Sequence, residues 1–323
     1  MNINFCKALG AIGLSIASVS SFAKYPERPI TFIAQQPPGS GSDAMTRTLA
    51  DCVSQKLNQP VVVQNKPGAN GILAINHLKT QKPDGYTMMS IGMSQMTITP
   101  YIYKDQPYDP IEDFSGVTIF GATPLILVTT PETGVTNLTD LETLLQTSED
   151  GINFGSPGNG SPAHLLTTAL LKKLDLEGMH IPFTGEASGL AALLGDQIEI
   201  MTLVSGTARA QVKSGKLVPL ALFATERSEV FPDVPTVVEL LGDDQLARPG
   251  WIGLVGPAGT ETEAINVLNE TAESCTKNEA FIKRFASMNA QVMATPADEL
   301  ATRAKADSDV WRPLIESLGL VTE

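Results

Sequence analysis

The chain has 323 residues, enough for two domains of ordinary size, and 42% of them are hydrophobic, so we expect a substantial core. Its 35 acidic residues outnumber its 22 basic residues and give a formal net charge of −13. This charge excludes nucleic acid and anionic lipid surfaces as partners, because both would repel the protein. An anionic small-molecule ligand would therefore need local hydrogen-bond donors.

Residues 1–23 have the pattern of a secretory signal peptide. Lys7 precedes a small, apolar run over 8–19, and Ser21-Phe22-Ala23 resembles a signal-peptidase cleavage site. The apolar run is about a dozen residues long, whereas a transmembrane helix needs roughly 20, so a cleaved signal is favoured over a membrane anchor. We expect an exported protein that starts near Lys24.

Two cysteines, Cys52 and Cys275, remain after the signal peptide. In an oxidising compartment they can form a disulfide, provided that an early helix and a late helix touch. The alternative is two separate buried thiols, and the sequence leaves both open. No Cys or His cluster indicates a metal site.

The first third of the mature chain alternates between strands and helices. We predict strands over 28–35, 60–64 and 86–91, a loop over 37–43, and helices over 44–57 and 70–79. The first helix carries apolar residues four positions apart, at Met45, Leu49, Val53 and Leu57. This alternation indicates parallel strands joined by crossover helices.

The Pro- and Asp-rich segment 101–114 interrupts this pattern, and the short apolar runs 117–121 and 124–130 are candidates to cross between domains. The alternation then resumes, with helices near 138–146, 162–170, 187–194 and 208–214 and strands near 152–155, 179–183, 198–203, 217–223 and 251–255. From 261 the chain is mostly helical, including 261–277 and 309–318. Such a run lacks its own sheet and is expected to pack on the first domain. We predict a discontinuous domain over 24–122 and 226–323, and a second over 123–225.

Two glycine- and serine-rich loops, 37–43 and 156–161, each follow a strand and precede a helix. Open α/β sheets bind ligands at this position, and the unpaired amides and dipole of a helix N-terminus favour an anion. We therefore expect the two loops to face each other and hold one small anion between two domains.

Asp43 and His164 each have two interpretations. Asp43 either stabilises the first helix, with Arg47 one turn later, or accepts a hydrogen bond from a ligand. His164 is more typical of a structural hydrogen-bonding group than of a ligand contact, and Ser156 and Asn159 are better candidates. Three further loops, 90–94, 184–187 and 202–207, are small and polar, which suits a pocket or an ordinary turn.

One motif is compatible with an enzymatic alternative. The run from Gly158 to Ala163 matches G-x-G-x-x-A after a strand, as in dinucleotide-binding domains. The acidic residue expected after the next strand is missing, and only Glu186 lies nearby. No nucleophile elbow, phosphate-binding P-loop or zinc-protease motif is present, so an enzyme is not favoured.

Several motifs in order resemble the Bug-type extracytoplasmic receptors of tripartite tricarboxylate transporters. They are Pro67-Gly68-Ala69-Asn70-Gly71, Pro83-Asp84-Gly85-Tyr86-Thr87, Pro232-Asp233-Val234-Pro235-Thr236, Trp251-Ile252-Gly253 and Pro257-Ala258-Gly259-Thr260. The resemblance implies an α/β fold of two domains, the periplasmic-binding-protein or Venus-flytrap fold, each domain being a mainly parallel sheet flanked by helices.

The resemblance also implies a periplasmic, non-enzymatic monomer without a cofactor, which captures a small organic carboxylate and delivers it to a membrane permease. A ligand-sensing adaptor for a membrane receptor is an alternative that the sequence does not separate from transport. With the additional strand-end loops, the expected ligand-binding residues are Gly39, Ser40, Gly41, Ser42, Asp43, Ser90, Ser156, Gly158, Asn159, Gly160, Ser161, His164, Thr184, Gly185, Thr202 and Ser205.

Overall fold

The structure, a computed structural model, describes residues 25–103, 108–148 and 151–321. The predicted signal peptide lies outside these residues. The described chain forms two β-sheets that are flanked by helices, which confirms the predicted α/β class with two lobes.

The strands, in chain order, are β1 (Ile30–Ala34), β2 (Val61–Asn65), β3 (Thr87–Gly92), β4 (Phe114–Thr123), β5 (Leu125–Thr129), β6 (Asn153–Ser156), β7 (Met179–Pro182), β8 (Ile200–Val204), β9 (Val218–Leu222), β10 (Gly250–Pro257) and β11 (Gln291–Val292). The helices are α1 (Gly41–Leu57), α2 (Ile72–Lys79), α3 (Met93–Thr97), α4 (Thr99–Ile102), α5 (Leu138–Thr147), α6 (Pro162–Lys173), α7 (Glu186–Leu194), α8 (Ser205–Lys213), α9 (Val237–Leu241), α10 (Thr262–Cys275), α11 (Glu279–Ser287) and α12 (Glu299–Ser317).

Lobe 1 is built on a six-stranded sheet of order β11-β4-β10-β3-β1-β2, and lobe 2 on a five-stranded sheet of order β7-β6-β8-β5-β9. β4 ends in lobe 1 at Thr123, and β5 begins in lobe 2 at Leu125. The two apolar runs around Pro124 therefore do cross between the sheets, as predicted.

Both sheets are mixed, which corrects the prediction of mainly parallel sheets. β1 pairs in parallel with β2 and β3, whereas β10 is antiparallel to both β3 and β4. In lobe 2, β6 is parallel to β7 and β8, whereas β5 is antiparallel to β8 and β9. The reason is the crossing itself. A strand that enters a sheet from the cleft must run against strands that end at the cleft, and β5 and β10 both enter in this way.

The late helices pack on lobe 1, where residues of α10 and α11 share a buried cluster with β1 and α1. Cys52 of α1 and Cys275 of α10 form a disulfide with a Cα–Cα distance of 6.1 Å, so the bridged alternative is correct. The bridge ties the beginning of lobe 1 to the segment that returns from lobe 2.

The predicted domain boundary at 225–226 stays a proposal, and one contact favours a later crossing. Thr236 pairs with Leu222 of β9, and Phe231 and Val234 belong to a buried cluster of lobe 2. These contacts keep the chain beside the second sheet beyond residue 226.

Two predicted boundaries were wrong for local reasons. The loop over 37–43 ends earlier, because the Ser40 hydroxyl accepts a hydrogen bond from the Asp43 N–H and α1 begins at Gly41. The helix predicted over 309–318 begins at Glu299 and continues through Pro313. Its buried face, which includes Leu300 and Ala304, extends the apolar pattern upstream.

We expect reduction of the disulfide to lower the free energy of unfolding by about 2–4 kcal/mol, since the bridge restricts a long loop in the unfolded chain. Urea denaturation with and without a phosphine reductant measures this difference. A Cys52→Ala/Cys275→Ala variant is the control and should not respond to the reductant. An unchanged wild-type midpoint under reduction would contradict the prediction.

Candidate functional site

The cleft between the lobes holds a cavity of about 540 Å³. Lobe 1 contributes the end of β1, the start of α1 and the junction of β3 with α3, and lobe 2 contributes the starts of α6 and α7. The crossing strands also line it, at Thr123 and Gly250. The carboxyl ends of strands and the amino ends of helices thus meet here from both lobes, as expected of a ligand site in an open α/β fold.

A larger hollow of about 640 Å³ lies beside α1 and α11, and its lining includes Arg47 and Arg284. It is lined by lobe 1 alone and lies away from the strand ends of lobe 2. We therefore treat the cleft, and not this hollow, as the candidate site.

The start of α1 offers hydrogen-bond donors to the cleft. Ser40, Gly41 and Ser42, which belong to the first predicted loop, line the cavity. The helical ladder begins with the Ala44 N–H bonded to the Ser40 carbonyl. The N–H groups of Gly41 and Ser42 consequently have no acceptor among the described residues, as expected for the first turn of a helix. With the helix dipole, they favour a negatively charged group.

Asp43 supports this loop from the protein side. Its carboxylate accepts hydrogen bonds from the Gly39 N–H (2.8 Å), Arg47 Nε (3.0 Å) and Asn65 Nδ2 (2.7 Å). Burial opposes ionisation of Asp43, but these hydrogen bonds and the Arg47 charge outweigh it and hold its pKa below the usual range. Neither Asp43 nor Gly39 lines the cleft cavity. The geometry favours the interpretation that Asp43 stabilises the helix start.

Four amides of the second loop that we expected to be free are bonded within the loop itself. The N–H groups of Gly158 and Gly160 donate to Ser156 Oγ (3.1 Å) and His164 Nδ1 (3.1 Å). Those of Ser161 and His164 donate to the Gly158 carbonyl (3.2 Å) and Ser161 Oγ (3.3 Å). Short polar side chains thus satisfy the backbone of their own loop. Asn159 is exposed, and this region reaches the cavity through Pro157 and Pro162.

A stacked histidine pair holds the second loop. The rings of His164 and His180 lie 3.6 Å apart at 9°, and His180 Nε2 is 2.7 Å from Ser156 Oγ. Burial lowers the pKa of both histidines to about 4, and the proximity of His180 adds to the effect on His164. Both rings are therefore neutral at neutral pH, which leaves His164 Nδ1 free to accept from Gly160. His164 is a structural group here.

The remaining predicted residues do not line the cavity. Ser90 donates to the Ile33 carbonyl, Thr202 bonds the Thr167 hydroxyl, and Ser205 accepts from Asn289 of lobe 1. Thr184 is exposed, and Gly185 precedes α7. Ser90 and Thr202 lie within β3 and β8, and Ser205 begins α8, so the predicted loops 90–94 and 202–207 are strand-to-helix junctions instead.

Several lining residues lie outside the expected ligand-binding set, among them Gln35, Gln95 and Glu186, although Glu186 belongs to the loop 184–187 that the sequence offered as a pocket or a turn. Gln35 lies directly after β1, and its amide donates to Gln95 Oε1 (2.9 Å). Its position directly after the first strand indicates a ligand site in an open α/β sheet, and this signal was present in the sequence. Glu186 starts α7, where its carboxylate accepts from the Val204 N–H (2.8 Å) and the Thr207 hydroxyl. Burial raises its pKa, and these two hydrogen bonds oppose the rise.

The described residues contain no group of three or more His, Cys, Asp or Glu side chains arranged to hold a metal ion. Within the same ranges, no helix is both long enough and apolar enough to cross a membrane. The chemistry available in the cleft is hydrogen bonding and charge, from α1 on one side and Glu186 on the other.

Acid should destabilise the fold through the stacked histidines. Their folded pKa of about 4 lies below the ordinary value of 6.5, so the unfolded chain binds protons first as the pH falls through this window. Stability is therefore retained above pH 6.5 and decreases towards pH 4. A His180→Gln variant, which keeps a hydrogen-bonding group beside Ser156, should show a smaller decrease of the melting temperature over this range.

The matched control is His77→Gln. His77 lies on α2 and also has a lowered pKa, from burial and from Lys66, but it is not stacked on another histidine. We expect the His180 variant to flatten the pH profile more than this control. Equal profiles for the His180 variant and the wild type, by circular-dichroism melting, would contradict the prediction.

Comparison with known proteins places this fold and site in a family. Residues 45–320 match the family described as tripartite tricarboxylate transporter family receptor. Protein BugT of Bordetella pertussis is 32% identical over 301 residues, which cover 91% of this chain and 92% of BugT. The structure of the periplasmic binding protein BugD aligns with a TM-score of 0.77 at 26% identity, over 93% of this chain and 100% of BugD.

The structure of Rpa4515 from R. palustris with adipate aligns with a TM-score of 0.80 at 22% identity, over 91% of this chain and 98% of that protein. These alignments confirm the predicted periplasmic-binding-protein fold of two domains. With the family match and the relative BugT, they show that the chain belongs to the receptor family of the tripartite tricarboxylate transporters.

Proposed function

We propose that this protein is a periplasmic solute-binding protein that captures a small organic carboxylate in the cleft and delivers it to the permease of a tripartite tricarboxylate-type transporter. The observation that carries the proposal is the start of α1, where Gly41 and Ser42 line a cavity shared by both lobes and their N–H groups have no acceptor among the described residues. The predicted export signal supports a periplasmic location, and we propose that the protein acts as a monomer without a cofactor or catalytic activity.

A carboxylate fits these donors better than a neutral group does. Hydrogen bonds to a charged group contribute roughly 1.5–3 kcal/mol each, against about half that for neutral pairs. The helix dipole adds to this at the first turn. Among the described residues that line the cavity there is no Arg, Lys or His, so α1 provides the local attraction that the acidic protein as a whole does not. The adipate-bound neighbour is consistent with a ligand of this class.

The two crossings provide a hinge for closure around the ligand. Gly250 pairs with Thr123, so the outgoing and returning strands lie side by side between the lobes. We propose that rotation about these strands opens and closes the cleft, as in other two-domain binding proteins. Ligand contacts from both lobes would then favour the closed form, which the permease recognises.

The dinucleotide-binding alternative loses its support at the second loop. A pyrophosphate in that motif is bound by backbone N–H groups at the strand-to-helix turn. Here the N–H groups of Gly158 and Gly160 are bonded to side chains of their own loop.

A Gly41→Pro variant tests the proposed donor directly. Gly41 is the first residue of α1, where proline is well tolerated, and Ser40 before it has the extended conformation that proline requires (φ −67°, ψ 160°). The substitution thus removes one N–H group and leaves the helix in place. Without this bond, the affinity for the carboxylate should fall about tenfold or more, measured by calorimetry.

Gly41→Ala is the matched control, because it keeps the N–H and its Cβ would have no atom within 4 Å. We expect its affinity to stay near that of the wild type. The ligand is found first by a thermal-shift screen of mono-, di- and tricarboxylates and amino acids, since a bound ligand raises the melting temperature. No shift from any of them, or equal affinity of the two Gly41 variants, would refute the proposal.

A further inference from the structure

Glu186 differs from the rest of the cleft in charge. Among the described residues that line the cavity, it alone has an ionisable side chain. It comes from lobe 2, at the first position of α7, whereas the donors of Gly41 and Ser42 come from lobe 1. The cavity therefore has a wall that favours negative charge and, on the other lobe, a carboxylate that favours positive charge.

The hydrogen bonds of Glu186 leave room for a further partner. One carboxylate oxygen accepts from the Val204 N–H and the other from the Thr207 hydroxyl, and both donors are neutral. A carboxylate offers about four acceptor sites, so each oxygen retains one for a donor in the cavity.

Two other buried carboxylates, neither of which lines the cavity, are paired with arginine. Asp43 is bonded to Arg47, and Asp307, whose side chain is fully buried, is bonded to Arg248 and Arg303. Glu186 has no Arg, Lys or His partner in the described part of the chain. A carboxylate that is removed from water without a cation is unfavourable, and a cation that arrives with the ligand would remove this penalty.

A purely structural role explains only part of these contacts. The charge of Glu186 interacts favourably with the dipole of α7, because it lies in the first turn. Its hydrogen bonds with Val204 and Thr207 also link the start of α7 to the β8–α8 junction. A glutamine at this position could accept from one of these groups through its carbonyl oxygen and donate to the Thr207 hydroxyl through its amide, without placing a charge in a cavity that we propose for an anion. The charge itself is therefore the feature that requires a functional explanation.

We propose that the ligand is an amino-carboxylate, whose carboxylate binds the start of α1 while its ammonium group binds Glu186. This inference rests on the proposed function, because it assigns the second end of the same ligand. An ammonium group has three donors and no acceptor, which matches the unused acceptor sites of Glu186. A ligand with a second carboxylate at that end would instead meet a like charge.

Matched ligand pairs test this inference on the full exported protein. The pairs are aspartate and succinate, glutamate and glutarate, alanine and propionate, and 4-aminobutyrate and butyrate, which differ only in the amino group. In the wild type, the amino member of at least one pair should bind about tenfold or more tightly than its partner, as expected for a charge-assisted hydrogen bond.

A Glu186→Gln variant should abolish this preference and bring the two affinities of the pair within about threefold of each other. If the role of Glu186 is structural only, the variant would weaken both members equally and leave their ratio unchanged, which would overturn the inference. Glu239→Gln is the control, because Glu239 also lies in the first turn of a helix and accepts backbone and side-chain hydrogen bonds, but outside the cleft. It should preserve the wild-type ratio.

The outcomes separate this inference from the function on which it rests. Binding of the simple carboxylates with affinity equal to or better than their amino partners would overturn the assignment of Glu186 and leave the carboxylate-binding function in place. Failure of every member of every pair, together with the wider carboxylate screen, would refute both. Melting of the ligand-free variants, which should remain within a few degrees of the wild type, shows that each ratio is measured on folded protein.

Discussion

The direction of the chain at its two crossings determines where a ligand can bind. β4 leaves lobe 1 at Thr123 and β10 returns beside it at Gly250, so both crossings lie at one edge of each sheet. Strands that run in the same direction as β4 end at this edge of the sheet. The helices that come after them in the chain begin there. The start of α1, the β3–α3 junction and the start of α7 thus reach one cavity although they are far apart in sequence.

The two lobes contribute unequally to that cavity. In lobe 1, the carboxylate of Asp43 accepts from the Gly39 N–H and from Arg47, and Gly41 and Ser42 line the cleft with amides that have no acceptor among the described residues. In lobe 2, side chains of the corresponding loop bond its own amides, and the stacked pair of His164 and His180 holds that arrangement. The polar contribution of lobe 2 therefore comes from the next helix start, at Glu186.

Local patterns predicted the loop whose residues line the cavity at the start of α1, but they did not predict the hydrogen bonding within the second loop, and the reason is physical. Gly41 and Ser42 were found because a small-residue loop before an amphipathic helix leaves unpaired amides, and in lobe 1 nothing cancels them. The second loop has the same local pattern, but Ser156 and His164 satisfy its amides with support from His180. His180 lies on the neighbouring strand β7, so this arrangement depends on tertiary structure.

The fold shows the same division between local and distant information. The strand and helix order follows from apolar spacing and turn residues, and the crossing at Pro124 follows from two short apolar runs. The mixed strand direction does not follow from such local patterns, because it depends on the side from which β5 and β10 enter their sheets. Trp251 illustrates the limit, since it lies on the returning strand and lines a cavity whose other walls include residues as distant in sequence as Gln35 and Ser40.

The unequal lobes also bear on closure. A ligand shifts the balance between open and closed forms only by the difference in its free energy of interaction with the two. Under the proposed function, a simple carboxylate bound to α1 has its charged contact with lobe 1 alone, and this contact is the same whether the cleft is open or closed. A ligand that also neutralises Glu186 gains its second interaction only when lobe 2 approaches. Under the two proposals, the amino group would thus provide specificity and, in the same contact, the free energy that favours the closed form.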